Sequence, residues 1–360
     1  MSAKDKYWIA FSSIENINSK FILKLYEHFK DIELAWNCSD LSFYDGLNIQ
    51  KAENFLRLRD KTSPDKMMNI VADKNLQYLT YEQLPFMLKE IYDAPATVYY
   101  RGDLKTCNLD KTLAIVGSRR ATTACKDILA KMIAELSNTD ICIVSGLAAG
   151  VDTVAHQSAI KNGLKTIGVI ASGHDYVYPT NNRELYRTIE NGNGVVLSEY
   201  FPTIEPLRFH FPQRNRIVTG LSYGTLVAEA SLKSGALISA NLCLEQGREL
   251  MCIPGLISNP NTQGIYKLLK NGATLVTCAE DILTALNWDS KKEAKQMTLA
   301  LNTYNENQNK ILKCLELEPK VFDIILSETG INAEELMVLL TELELDGVIK
   351  QTDGERYKTV

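Results

Sequence analysis

Six short apolar runs, each followed by a stretch with helical spacing, occupy the middle of the sequence. The runs are TLAIVGS, ICIVSG, TIGVIASG, GVVLSE, GTLVAEA and ELMCIPG. Strands that alternate with helices in this way form βαβ units and a parallel sheet. Ligands of such sheets bind beyond the carboxyl ends of the strands, where these glycines lie. The sequence therefore predicts an α/β protein whose core is a Rossmann-like, doubly wound, mostly parallel sheet.

The first residues of the chain have a different pattern from the strand runs. Apolar side chains such as Ile22, Leu25 and Phe29 recur at helical spacing without strand alternation, which predicts a small helical bundle over 1–75. This domain resembles SAM-like domains. Within it, DGLNIQKAENFLRLR resembles half of a helix-hairpin-helix, but we favour ordinary helix packing as the explanation of a single glycine turn.

Two further regions follow the extended Rossmann-like core, which we predict over 76–288. Residues 289–307 are polar without an apolar face and are expected to form a linker. Residues 308–360 show three helical stretches and then two short strands, the order of a winged helix.

Composition narrows the class of protein. The chain is 45% hydrophobic and 23% charged, as in ordinary soluble domains. The first residues lack a secretory signal, and no apolar run approaches about 18 residues, so we expect a cytoplasmic protein without a membrane partner. The eight cysteines are scattered and only four histidines are present, so neither a disulfide framework nor a metal site is expected.

The first strand ends in AIVGSRRATTA, where Gly117, Ser118 and Arg119 precede a helix that starts near Thr122. Backbone N–H groups at such a turn can hold an anion, and Arg119 can close over it. A dinucleotide fingerprint needs glycines where this chain has Arg119 and Thr122, so no nicotinamide cofactor is expected. The alternative is a tight turn with an exposed arginine.

Two more glycine turns supply candidate anion contacts. VSGLAAGVDTVAH contains Ser145 and Gly146, and GTLVAEASLKSGALISAN contains Lys233, Ser234 and Gly235 at a helix start. In the first of these motifs, Asp152 and His156 are either a base with its orienting acid or an ordinary pair on one helix face. No serine lies in a G-x-S-x-G elbow, so a hydrolase nucleophile is not indicated.

The stretch RFHFPQRNRIVTG concentrates positive charge in a chain whose formal net charge is -5. It contains Arg208, Phe209, Phe211, Arg214, Asn215 and Arg216. Arginines beside aromatic rings suit single-stranded nucleic acid, because guanidiniums neutralise phosphates while a ring stacks on any base. The alternative places the rings in the core and pairs the arginines with acids; we expect core burial for one of Phe209 and Phe211, and assign Phe211 to stacking.

Seven motifs taken together resemble the DNA-processing protein A (DprA/Smf) family. They are GSRRAT, SGLAAGVDTVAH, YPTNNREL, SEYFP, FPQRNRIVTGLS, EASLKSGALISA and GRELMCIPG, in this order, and they cover about 95–280. The resemblance implies a homodimeric, non-enzymatic protein that binds and protects single-stranded DNA and helps to load the RecA recombinase during natural transformation.

The same resemblance assigns the residues of the DNA site. Gly117, Ser118 and Arg119 would contact phosphate, and Arg208 with Phe211 would form the cation and ring of the pocket. Arg214, Asn215 and Arg216 would shape or line the same groove, and Arg183 of YPTNNREL completes the predicted contacts. No catalytic residue is expected.

An alternative function comes from another class of protein. Glu229 follows a strand and could act as the general acid of a nucleoside-monophosphate-processing enzyme on a similar sheet. Such enzymes tend to show a P-G-G-x-G-T-x-x-E run, and the glycines before Gly224 are missing here. A purely structural scaffold is a second alternative, and it leaves the arginines of the RFHFPQRNRIVTG stretch unexplained.

The predicted winged helix is acidic, with six Lys and Arg against eleven Asp and Glu from residue 308 onward. Its third helix contains Glu334, Glu335, Glu342, Glu344 and Asp346. Because affinity for DNA depends on positive charge close to phosphate, this helix should repel DNA. We expect it to serve a protein surface or to cover the basic groove; the alternative is that Lys350, Arg356 and Lys358 on the wing touch DNA.

Deleting the chain after Trp288 should leave the affinity for single-stranded DNA unchanged or slightly higher, because the deleted part carries excess negative charge. Titration of labelled DNA with the full and shortened chains measures this. A tenfold loss of affinity, about 1.4 kcal/mol, in a shortened chain that still melts cooperatively would show that the winged helix contributes to DNA binding.

Overall fold

The computed structural model describes residues 2–14, 17–39, 49–288, 304–315, 319–345, 348–352 and 356–359. The chain divides into two compact units, Met1–Trp288 and Asp289–Val360. The glycine turn of the suggested helix-hairpin-helix, most of the expected linker and Asp346 lie outside the described residues.

The first unit is built on a sheet in the order β1-β2-β6-β5-β4-β3-β7-β8-β9. Its strands are β1 Gln77–Thr80, β2 Thr97–Gly102, β3 Thr112–Val116, β4 Cys142–Ser145, β5 Thr166–Val169, β6 Gly194–Ser198, β7 Gly224–Val227, β8 Glu249–Cys252 and β9 Thr274–Leu275. Neighbouring strands pair in parallel along the part β6-β5-β4-β3-β7-β8-β9. In contrast, β2 is antiparallel to both β6 and β1. The predicted doubly wound, mostly parallel sheet is confirmed, and the six apolar runs form β3 to β8.

Helices cover this sheet on both faces. They are α1 Asp5–Ser13, α2 Ser19–Phe29, α3 Ile32–Asn37, α4 Ile49–Arg59, α5 Pro64–Asp73, α6 Phe86–Lys89, α7 Thr123–Glu135, α8 Val151–Lys161, α9 Arg183–Thr188, α10 His210–Gly220, α11 Ala236–Glu245, α12 Gln263–Lys270 and α13 Ala279–Ala285. Alternating residues of β3 face opposite sides: Leu113 packs toward α7 and α8, and Ala114 packs toward α10 and α11. Burial on both faces explains why these strands are continuous apolar runs.

The N-terminal helices share a core with the edge of the sheet. Trp8, Phe11 and Phe55 form an aromatic cluster between the helices. Ile9 of α1, on the other hand, packs with Tyr99 of β2 and with other buried side chains of the sheet edge. Helices and sheet therefore belong to one compact unit, while the SAM-like character of the helices and the predicted domain boundaries stay predictions.

The second unit has the winged-helix arrangement that the sequence predicts. Its elements are α14 Glu306–Cys314, β10 Lys320–Val321, α15 Phe322–Thr329, α16 Ala333–Leu345, β11 Ile349–Thr352 and β12 Arg356–Thr359, with the strands in the order β10-β12-β11. Leu336, Leu340 and Leu343 of α16 face the core of this unit. Four carboxylates of the same helix are exposed: Glu334, Glu335, Glu342 and Glu344.

Within the described part of the chain, no helix is both long enough and apolar enough to cross a membrane.

Candidate nucleic-acid interface

The loops after β3, β4 and β7 meet where the strand order reverses. β3 pairs with β4 on one side and with β7 on the other, both in parallel. The chain leaves these strands at Gly117, Gly146 and Ala228, all at the carboxyl edge of the sheet. Sheets of this kind bind ligands at such a switch point.

Two of the loops pack backbone against backbone, and glycines make this possible. Val151 N–H donates to the carbonyl of Ser118 at 3.1 Å. Gly150 has a φ of +85°, and a Cβ there would lie 2.2 Å from the Ser118 oxygen. A Cβ on Gly117 would lie 2.5 Å from a methyl carbon of Val151. The close approach therefore fixes the course of the loop that presents Ser118 and Arg119.

Glu229 holds the same loop from the end of β7. It is 2% exposed. Its carboxylate accepts hydrogen bonds from the N–H and the hydroxyl of Thr122, both at 3.0 Å, and from Asn259 at 3.4 Å. Its backbone carbonyl accepts from Ser118 N–H at 2.8 Å. These bonds give Glu229 a structural role at the start of α7, and they occupy the carboxylate that the enzyme alternative requires.

Arg119, Tyr178 and Phe211 form what we call the cation–aromatic cluster. Arg119 is exposed, and its guanidinium carbon lies 5.4 Å from the centre of the Phe211 ring. Tyr178 is 50% exposed and meets Phe211 edge to face, with ring centres 5.4 Å apart. Tyr178 was not among the residues predicted from sequence, although it belongs to the YPTNNREL motif.

The RFHFPQRNRIVTG stretch presents its first residues to solvent. Arg208 is exposed, Phe209 is 57% exposed and Phe211 is partly buried. The expectation that one of the two phenylalanines belongs to the core is wrong. The reason is that α10 begins at His210, whose buried ring takes the inward position and accepts a hydrogen bond from Leu207 N–H at 3.3 Å.

Arg214 lies inside the protein, 4% exposed. Its guanidinium donates to the carbonyl of Gly146 at 2.5 Å and to that of Val169. A Cβ on Gly146 would come within 2.6 Å of that guanidinium. Burial lowers the pKa of Arg214, whereas the negative charge of nearby Asp152 opposes that shift. Arg214 thus supports the loop after β4 from below.

Arg216 and Ser145 also have partners inside the protein. Arg216 is 8% exposed and forms ion pairs with Asp93 at 3.0 Å and Glu199 at 2.5 Å. The Ser145 hydroxyl is fully buried and donates to the carbonyl of Ile115 at 2.6 Å. We therefore revise the predicted contact set: the side chains of Ser145, Arg214 and Arg216 are turned to partners inside the protein. Gly146 is likewise buried, with its N–H bonded to Asp152 and its carbonyl to Arg214.

Asp152 and His156 have different hydrogen-bond partners. Asp152 accepts from Gly146 N–H at 3.1 Å and from Ala148 N–H at 3.3 Å, so it caps the loop at the start of α8. His156 is fully buried and bonds to the Thr166 hydroxyl at 2.7 Å. Burial lowers the pKa of His156 to about 3. The two side chains act as structural supports rather than as a base and its orienting acid.

The remaining predicted residues lie at neighbouring strand ends. Lys233 and Gly235 are exposed after β7, and the Ser234 hydroxyl accepts a hydrogen bond from Ala236 N–H at 3.2 Å at the start of α11. Arg183 is exposed at the start of α9, in the connection after β5. Asn215 is partly exposed, and its side-chain oxygen accepts from Arg214.

Two family models match the chain. One is described as DNA recombination-mediator protein A and matches residues 75–287; the other, the DprA winged helix domain, matches residues 295–355. DNA processing protein DprA of Streptococcus pneumoniae is 46% identical over 199 residues, which cover 55% of this chain and 70% of the relative.

Two solved structures of DNA processing protein A are also similar to the chain. The X-ray structure of DNA processing protein A from Streptococcus pneumoniae is 34% identical and gives a TM-score of 0.67, covering 79% of this chain and 98% of that one. A second structure, of DNA processing protein A from Helicobacter pylori, was solved to study how that protein binds single-stranded DNA. It is 33% identical and gives a TM-score of 0.53, covering 59% of this chain and 97% of that one.

The match over residues 75–287 places the doubly wound sheet in the class of DNA recombination-mediator proteins, and the second match adds the winged helix of that class. The chain belongs to the DNA-processing protein A (DprA/Smf) family.

Gly150→Ala should destabilise the first unit more than Gly163→Ala does, because only Gly150 faces another backbone. Both glycines have positive φ, +85° and +75°, but a Cβ on Gly163 meets nothing within 4 Å. We expect Gly163→Ala to cost about 1 kcal/mol for its conformation, and Gly150→Ala to cost a further ~1 to 3 kcal/mol for the clash with Ser118. Urea unfolding measures both; equal losses would contradict the contact between the two loops.

Proposed function

We propose that this protein binds single-stranded DNA with little sequence preference and passes it to a RecA-type recombinase during natural transformation. The observation that carries the proposal is the cation–aromatic cluster at the switch point of the sheet. It places an exposed guanidinium beside two accessible rings at the carboxyl edge of the sheet.

The chemistry of the cluster favours a single strand over a duplex. Bases of a duplex are stacked on each other, whereas the bases of a single strand can stack on Tyr178 or Phe211. Arg119 can contact a phosphate beside such a base, and Arg208 and Lys233 add exposed positive charge on the flanking segments. Contacts of this kind recognise backbone and ring faces, so they select strandedness more than sequence.

The relatives support the partners in the proposal. The Helicobacter pylori protein, described as binding single-stranded DNA, is similar over most of its length. The family description as a recombination mediator fits an encounter with a recombinase. We further propose that the protein works in the cytoplasm as a homodimer that protects incoming DNA, as the family resemblance implies.

We propose binding without catalysis. Glu229 was the candidate general acid, and its carboxylate oxygens are bonded to Thr122 and Asn259 in a buried position. The winged helix is proposed to act toward protein rather than DNA, because the outward positions of α16 carry four carboxylates.

Titration of one labelled oligonucleotide, single-stranded and as a duplex, across a salt series tests the proposal. The single strand should bind more tightly, and its affinity should fall steeply with salt. Arg119→Ala and Arg208→Ala should each reduce the slope of log K against log salt by about 0.7, the value for one lost contact on a single strand.

Lys131→Ala is the matched control, because Lys131 is an exposed cation on α7 about 12 Å along the helix from its start. It should leave the slope unchanged. Equal binding of both DNA forms, or unchanged slopes in both arginine variants, would overturn the proposed site. Weak, salt-insensitive binding together with tight binding of a nucleoside monophosphate would favour the enzyme alternative.

Phe211→Ala should weaken binding of single-stranded DNA by about 1 to 3 kcal/mol, the usual worth of a base stacked on an aromatic ring. Because Phe211 is only partly buried, the melting temperature should change little. Phe86→Ala, at a phenylalanine of α6 that is 74% exposed, should change neither quantity. A collapsed melting temperature for Phe211→Ala would assign the ring to folding instead of to DNA.

A further inference from the structure

A hollow beside the cation–aromatic cluster is lined by several arginines. It has a volume of about 310 Å³, and its walls include Arg101 of β2, Val177 after β5, and Arg183 and Arg187 of α9. A second hollow of about 310 Å³ shares Arg101 and Glu190 with the first and adds Lys74 and Gln77. We call the two together the arginine trough.

Positive charge in the trough is poorly balanced. Among the residues that the structure describes, Arg101, Arg183 and Arg187 form no ion pair. Arg101 donates a long hydrogen bond, 3.4 Å, to the carbonyl of Lys74. Of the two acids in the walls, Asp175 is already paired with Lys74 at 2.7 Å. The other acid is Glu190, whose pKa is raised by burial, whereas the positive charges of Arg101 and Arg187 oppose that shift.

Two buried polar atoms belong to residues that line the trough. The Tyr186 hydroxyl and Nδ1 of His174 have no hydrogen-bond partner among the described residues, and both side chains are at most 5% exposed. Leaving a buried polar atom without a partner costs free energy unless a ligand or water supplies one.

The connection after β5 links the trough to the cation–aromatic cluster along the chain. Val177, in its wall, immediately precedes Tyr178, whose ring contacts Phe211. Arg183, also in the wall, begins the helix that follows the same segment. A strand whose bases stack at the cluster would therefore reach the trough along the connection after β5.

We propose that the arginine trough binds the phosphates of the same DNA strand beyond the cation–aromatic cluster and so extends the binding site over the face of α9. The inference rests on the proposed function. Guanidiniums suit this role because each presents several donors in a plane that matches the oxygens of a phosphate. The trough thus sets the length of strand that the protein covers, while the cluster provides stacking.

A length series of single-stranded oligothymidylate, from about 4 to about 16 nucleotides, tests the inference on the full chain. In the unmodified protein, affinity should rise with length past the shortest strand that binds. Arg187→Gln should reduce the rise of affinity with strand length, and the double variant Arg101→Gln, Arg187→Gln should reduce it further. Both variants should bind the shortest strand as the unmodified protein does. The slope of log K against log salt for the long strand should fall by about 0.7 for each arginine removed.

Lys131→Gln is the matched control and should keep the full gain with length. Arg187 is exposed, so Arg187→Gln tests the idea even if changing Arg101 impairs folding, which a melting curve reveals. Equal affinity of the double variant and the unmodified protein for the long strand would overturn the inference, and so would the same loss at every length.

A small anion is the competing occupant of the trough. Two results together would show that the trough is a small-ligand site and overturn the inference. Inorganic phosphate or thymidine monophosphate would raise the melting temperature of the unmodified protein but not of Arg187→Gln. The affinity of both proteins would rise equally with DNA length. Failure of the unmodified protein to bind strands of any length would overturn the proposed function itself, which separates the two failures.

Discussion

The candidate site depends on one buried cation. Arg214 projects from α10 beneath the loops that leave β4 and β5 and donates hydrogen bonds to the carbonyls of Gly146 and Val169. A buried guanidinium is costly unless its donors are bonded and a negative charge is near, and Asp152 supplies that charge. Asp152 in turn binds two N–H groups of the same loop. Loop, helix and sheet are thereby locked together at the switch point.

The groups that can meet a ligand rest on this support. Glu229 and the contact between Gly150 and Ser118 fix the first loop, and the fixed loop holds Arg119 over Phe211. The arginines of one short motif therefore divide into two roles. Arg208 lies on the surface, where charge can reach phosphate, whereas Arg214 and Arg216 are buried and hold the surface in shape. A chain of net negative charge can in this way present a local positive site.

Much of this architecture could be predicted from sequence. Continuous apolar runs such as TLAIV identified the buried parallel strands because a strand covered on both faces needs apolar residues at every position. The glycines after β3 and β4 indicated the ligand-binding edge because they follow the carboxyl ends of the strands, where close packing of backbones excludes a Cβ. The acidic outer face of α16 could also be predicted, because the acidic residues and their helical spacing are both given by the sequence.

Sequence by itself thus determined the alternation of strands and helices along the chain, the winged helix and the edge of the sheet where a ligand would bind. Only the tertiary structure decided which arginines face solvent, that neither Phe209 nor Phe211 is in the core, that Glu229 is bonded inward, and that Tyr178 and Arg187 come near the site. The physical reason is that an arginine carries the same charge whether it is buried or exposed. Its role is set by partners such as Asp93 and Glu199, which are distant in sequence and are brought to it only by folding.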